Sequence, residues 1–299
     1  MAHAPRWTTP RRGGRPAGLL TRVAVGLVLA IFVGLLIAKS FETNPTAADH
    51  FALSSNGLLN EVTQVPMSVF NRVGVNAPNV QVDPPVYAAG QPRLRYDDKV
   101  GVFYEGNEYS PFAVAQKWAL IVALSRFGTF TNLGNTTSSP TDYYPSSEGF
   151  TLWKVNYVSD YVALRAVERA ANVLDAKGNW LSLTIPNAYD RALLAKYDTT
   201  RFFPQFHGQR SYDGTVPFVS IGNAYLAVGS LFTPGALTGH GRDDLASTLT
   251  DPTNDTTKAI VAAANYFSAA VCAVDGQQPS TVCASPGVTA AKRVMERHS

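Results

Sequence analysis

The chain has 299 residues, 25 of them Lys or Arg and 22 Asp or Glu, for a formal net charge of +3. Its first 22 residues hold five Arg and no acid, so residues 23–299 carry 20 basic against 22 acidic side chains, a balance of −2. That distribution argues against a nucleic-acid surface, and the roughly 250 residues that follow position 39 suffice for one large domain or one domain with insertions.

The apolar run from Val23 to Ala38, VAVGLVLAIFVGLLIA, contains no charged side chain. With Arg22 and Lys39 able to extend their charged heads to the interface, residues 23–39 are expected to form a membrane-spanning helix. Arg6, Arg11, Arg12, Arg15 and Arg22 precede it, whereas Lys39, Glu42 and Asp49 follow. The positive-inside bias therefore predicts a cytoplasmic basic tail over 1–22 and an extracytoplasmic remainder. A cleaved signal peptide is the alternative, with Thr46-Ala47-Ala48 as its nearest small-residue site. Residues 40–90 read as a membrane-proximal segment with one helical patch, Leu58–Phe70, and turns at Asp83-Pro84-Pro85 and Gly90-Gln91-Pro92.

Beyond residue 98 the pattern sharpens. Lys99–Tyr104 has the composition of a strand, ended by the Glu105-Gly106-Asn107 turn. Ser110-Pro111 then supplies a favoured N-cap and first helical residue, with Val114, Trp118, Ile121 and Val122 following at helical spacing. Phe150–Ser159 is rich in aromatic and β-branched residues and reads as one strand. A helical stretch near Tyr189–Tyr197 precedes a strand over Thr215–Gly222, entered through Pro217, and Asn223-Ala224-Tyr225-Leu226 opens its hairpin partner. Two C-terminal helices are predicted: Arg242–Leu249, and a longer one from Asp255 with Ile260, Ala263, Phe267 and Val271 on one face. The two cysteines, Cys272 and Cys283, fall on the predicted exported side and read as a disulfide that clasps a helix end.

Strand, turn, Pro-containing helix start and later Val-Pro strand resemble the layout of the thioredoxin superfamily. The likeness narrows at Gly106-Asn107-Glu108-Tyr109-Ser110-Pro111-Phe112-Ala113, at Lys117-Trp118-Ala119-Leu120 and at Leu124-Ser125-Arg126-Phe127-Gly128-Thr129-Phe130. These stretches resemble an uncharacterised prokaryotic domain-of-unknown-function family of membrane-anchored, thioredoxin-like proteins. The resemblance covers about residues 90–290 and implies an α/β thioredoxin-like domain over 91–290, with C-terminal helices and a short tail over 291–299.

In that family a Cys-x-x-Cys pair stands where this chain has Ser110-Pro111-Phe112-Ala113, and the Val216-Pro217 bond corresponds to the proline loop that packs against it. A serine hydroxyl forms no mixed disulfide and alanine resolves none. The expected role is accordingly binding or assembly towards exported or membrane proteins, with no cofactor and no metal. The alternative is thiol–disulfide exchange through Cys272/Cys283 or a partner. His207 and His240 have no ligand at metal spacing, no Gly-x-Ser-x-Gly elbow occurs, and Tyr143-Tyr144-Pro145-Ser146-Ser147 reads as an exposed turn-rich contact loop.

Overall fold

The computed structural model describes residues 31, 46, 50–204 and 217–297. The chain divides into two units, Met1–Pro45 and Thr46–Ser299. Ile31 apart, the predicted basic tail and membrane helix lie outside the described residues.

The second unit is a mixed α/β structure. Its first elements are β1 (Ala52–Leu53), α1 (Asn56–Thr63), α2 (Met67–Val73), β2 (Val86–Tyr87), β3 (Arg95–Tyr96), β4 (Lys99–Gly106) and α3 (Pro111–Leu124). Then come β5 (Gly128–Thr131), β6 (Gly134–Thr137), β7 (Glu148–Thr151), β8 (Asn156–Ser159), β9 (Val162–Glu168), β10 (Ala170–Leu174), β11 (Trp180–Ser182) and α4 (Ala188–Tyr197). The chain finishes with β12 (Phe218–Ile221), β13 (Tyr225–Val228), α5 (Arg242–Thr248), α6 (Asp255–Val274), α7 (Ser280–Cys283) and α8 (Pro286–Arg297).

β4 is the centre of the main sheet, with seven of its eight residues buried. β9 lies parallel to it, in register from Val100 opposite Val162 to Gly106 opposite Glu168. A parallel pair requires a long crossover, and the segment that contains α3 supplies it. On its other side β4 pairs antiparallel with β12, Val102 opposite Ile221 and Glu105 opposite Phe218. β12 pairs antiparallel with β13, which in turn pairs with β2. The order is therefore β9-β4-β12-β13-β2, and β3 joins the start of β4 as a hairpin. Asp97 and Asp98, with φ of 49° and 60°, form its two-residue turn; two positive φ values are what a tight hairpin of this twist needs.

Alternation along β4 sends Val102 and Tyr104 to one face and Phe103 to the other. The first face carries the larger core, where α3 and α6 pack together; the second carries a smaller cluster with Leu193 and Tyr197 of α4. α6 is the one helix among the described residues long and apolar enough to cross a membrane, yet its apolar stretch is mostly buried within the domain. It is a core helix here.

Several boundaries differ from expectation. The Leu58–Phe70 patch is two helices, because Pro66 lacks an N–H and stands as N-cap of the second. Phe150–Ser159 is not one strand: β7 and β8 flank a turn at Leu152–Val155 in which Lys154 has φ of 60°. The final helix runs past residue 290 to Arg297, holding Ala291 and Met295 in the core.

Candidate functional site

β4 ends at Gly106, and after four intervening residues α3 begins at Pro111. Ser110 is its N-cap: Oγ accepts from the Ala113 N–H at 3.4 Å, and Pro111 occupies the first turn, where a missing N–H costs nothing. Ser110 and Ala113 are buried, whereas Phe112 is 38% exposed. Among the described residues no basic side chain hydrogen-bonds the Ser110 hydroxyl, so the local geometry is a capped helix start without an activated nucleophile. Val216 lies outside the described residues, but Pro217 is buried and its carbonyl accepts from Gly229 N–H at 2.8 Å. Because Phe218 pairs with Glu105, Pro217 enters β12 level with Gly106, at the end of β4 from which Ser110 is reached.

An aromatic surface surrounds this helix start. Tyr109 stacks on Trp180 with ring centroids 4.5 Å apart. Phe112 meets Tyr144 edge-on at 6.0 Å, and Tyr144 meets the exposed Tyr143 at 4.8 Å. The predicted contact loop thus supplies two of the five rings.

The polar chemistry sits beneath, on both faces of the sheet, and sequence reasoning missed it. On the α3 face, Lys117 Nζ reaches Glu168 Oε1 at 2.6 Å with both side chains fully buried, and Leu152 N–H donates to the same oxygen at 3.1 Å. Buried charges persist only when paired in this way. Glu168 Oε2 and the Tyr104 hydroxyl are buried without a hydrogen-bond partner. Burial, then the Glu168 charge, pushes Tyr104 well above the usual phenol range. Nearer the surface, Glu108 accepts from Thr136 Oγ1 at 3.3 Å, and burial followed by Glu168 raises its pKa. On the opposite face Glu105 is fully buried and its Oε1 accepts from Arg169 Nη1 at 3.1 Å. Burial dominates that pairing and pushes Glu105 up to about 7. Arg169 lines a cavity of about 460 Å³ with apolar walls from Ile185, Pro186, Leu194 and Ala195. One sequence signal for these groups existed: Gln116 and Lys117 interrupt an otherwise apolar helix, and Glu105 and Glu168 stand at or next to the ends of their strands.

The residues that carry the family resemblance are structural in this fold. Trp118 is fully buried and donates to Glu148 O at 3.0 Å. Arg126 hydrogen-bonds Asn265 Oδ1, Ser268 Oγ and Ser285 Oγ, and lies 4.1 Å from the Phe70 ring centroid. Burial lowers its pKa to about 10. Cys272 and Cys283 are joined as a disulfide, Cα atoms 5.5 Å apart, with exposures of 1% and 5%. Thiol exchange needs access, so that burial suits a clasp between α6 and α7. His207 lies outside the described residues and His240 is exposed. Among the described residues no group of three His, Cys, Asp or Glu is placed to hold a metal.

The pattern of one family, described as a domain of unknown function (DUF929), matches residues 86–273. No curated protein and no solved structure matches the chain.

Proposed function

The chain belongs to the DUF929 family, a domain of unknown function, and from that footing we propose that it is a membrane-anchored, extracytoplasmic, thioredoxin-like domain that has lost its redox pair and binds exported or membrane polypeptides. One observation carries the reading: Ser110–Ala113 open α3 directly after β4, with Pro217 entering the neighbouring antiparallel strand at the same level. The strand order β9-β4-β12-β13, with one parallel and two antiparallel pairings and helices after β4 and β13, supports it. The rings of Tyr109, Phe112, Tyr143, Tyr144 and Trp180 beside Ser110 offer the stacking and apolar area that an unfolded or extended polypeptide presents itself to. The buried disulfide fits an oxidising compartment.

Rebuilding the missing chemistry tests the assignment. Ser110→Cys with Ala113→Cys places two thiols three residues apart on the first turn, within disulfide reach. Helix N-terminal donors favour the thiolate at position 110. The double variant is expected to oxidise reversibly and to reduce insulin, while the unmodified protein and both single variants do neither. A folded double variant that cannot form the 110–113 bond would remove the thioredoxin-like reading.

A further inference from the structure

Beside Glu108, on the α3 side of the sheet, lies a cavity of about 270 Å³ between β6, β10 and the first residue of α5. Its lining excludes most ligand classes in turn. The one apolar side chain on its wall is Val173, too little for a hydrophobic ligand. Its one guanidinium, Arg242, already faces Glu148 at 3.7 Å and is locked by bonds from Nε to Gly149 O and from Nη2 to Thr136 O, which leaves little charge for an anion. Among the described residues no group of three His, Cys, Asp or Glu is placed to hold a metal ion there, and the Glu108 carboxyl, already an acceptor from Thr136 Oγ1, has its pKa raised by burial.

Beside the His50 imidazole, the walls offer a dense set of hydrogen-bonding atoms. Asn135 has its Oδ1 occupied by Ser54 Oγ at 2.6 Å, which leaves the Nδ2 donor uncommitted. Asn172 is the reverse: Nδ2 donates to Thr137 O at 2.8 Å and Oδ1 remains an uncommitted acceptor. Arg242 Nη1 adds a donor, the Thr137 hydroxyl donates and accepts, and the Glu108 carboxyl accepts. Vicinal hydroxyls have this same dual character, each giving one hydrogen bond and taking others, on a ring small enough for such a cavity.

We infer that this cavity is a binding site for a neutral polyhydroxylated ligand, a single hexose unit, held by Glu108, Asn135, Thr137, Asn172 and Arg242. The inference does not depend on the thioredoxin-like reading. A failed 110–113 disulfide leaves it standing, and its own failure leaves that reading intact.

Ligand-observed saturation-transfer NMR on the full chain, solubilised in a detergent without a sugar head group, provides the test. The probes are methyl glycosides of glucose, galactose and mannose, a neutral trisaccharide, glucuronate, and N-acetylglycinamide as a neutral amide. At least one neutral glycoside is expected to give saturable transfer that Asn172→Ala and Thr137→Val each weaken tenfold or more, with unchanged thermal midpoints showing that both variants fold. Binding of the monosaccharide alone assigns a free sugar, and binding of the trisaccharide as well assigns the end of a glycan; either supports the site. Absence of transfer to every neutral sugar, transfer unaltered in both variants, or preference for glucuronate or the amide would overturn it.

Discussion

Glu105 brings together a position the fold cannot relax and a charge it can discharge. Its side chain is fully buried, Oε2 lacks a hydrogen-bond partner, and burial outweighs Arg169, so the pKa stands at about 7 against an ordinary 4.5. The folded state thus holds this proton more tightly than the unfolded chain does. As pH rises from about 4.5, the unfolded state gives up its proton first, and folding stability falls until the folded carboxyl also ionises near 7. The shift corresponds to about 3 kcal/mol in full. Urea unfolding is therefore expected to show a lower midpoint at pH 8 than at pH 5, with a smaller drop in Glu105→Gln, which has the same shape and no charge to bury. Some slope persists in that variant, because Glu108 is shifted in the same direction. Parallel pH profiles for the two proteins would refute the assignment. Lys117 and Glu168 present the opposite case on the other face: a buried pair matched at 2.6 Å, where removal of one partner leaves the other without compensation.

Between elements, close approach sets tolerances that local propensity does not reveal. Gly287 sits in the first turn of α8, and a Cβ there would lie 2.5 Å from Phe70 O of α2 and 2.9 Å from both amide atoms of Asn265 in α6. Asn265 in turn donates to Phe70 O and Gly74 O and accepts from Arg126. Helix propensity alone makes Gly287→Ala stabilising by up to about 1 kcal/mol. The clash involves backbone, which cannot swing away, and overpacking of that kind costs about 1–3 kcal/mol. The substitution is accordingly expected to lower the urea midpoint, and an unchanged or higher midpoint would show that α8 shifts freely. This three-helix junction was illegible in the sequence, where Arg126 stood out only through a resemblance and Gly287 not at all. Elements whose signals are local were legible: the Ser110 cap, β4, the Tyr189–Tyr197 helix, the β12–β13 hairpin and the start of α6. Those that depend on distant partners were not. β9 alternates too weakly to be recognised without β4 beside it, and the β7–β8 turn is hidden inside a run of strand-forming residues. The same limit applies to the polar groups, since nothing local in Glu108 or Asn172 reveals that they share a cavity.

For the whole molecule, the proposed membrane anchoring turns on which segment would cross the bilayer, and two segments compete for that role. The Val23–Ala38 run is flanked by five Arg on one side and mixed charge on the other, which predicts one crossing with the N-terminus inside. α6 is also apolar and 20 residues long, but its surface is committed: Ile260, Phe267 and Val271 are fully buried against the rest of the domain, and Cys272 is bonded to Cys283. Taking α6 into lipid would strip α3 of its partner and expose buried polar side chains such as Asn265 and Ser268 to hydrocarbon. The two arrangements put Ser299 on opposite sides. With one crossing the C-terminus lies outside the cytoplasm; with two it returns inside. A reporter active only outside the cytoplasm, fused after Ser299, is therefore expected to be active, and the protein is expected to stay with membranes through a carbonate wash. An inactive fusion that is made and membrane-bound would favour a second span. Release of a form lacking the first 48 residues would instead identify the apolar run as a cleaved signal.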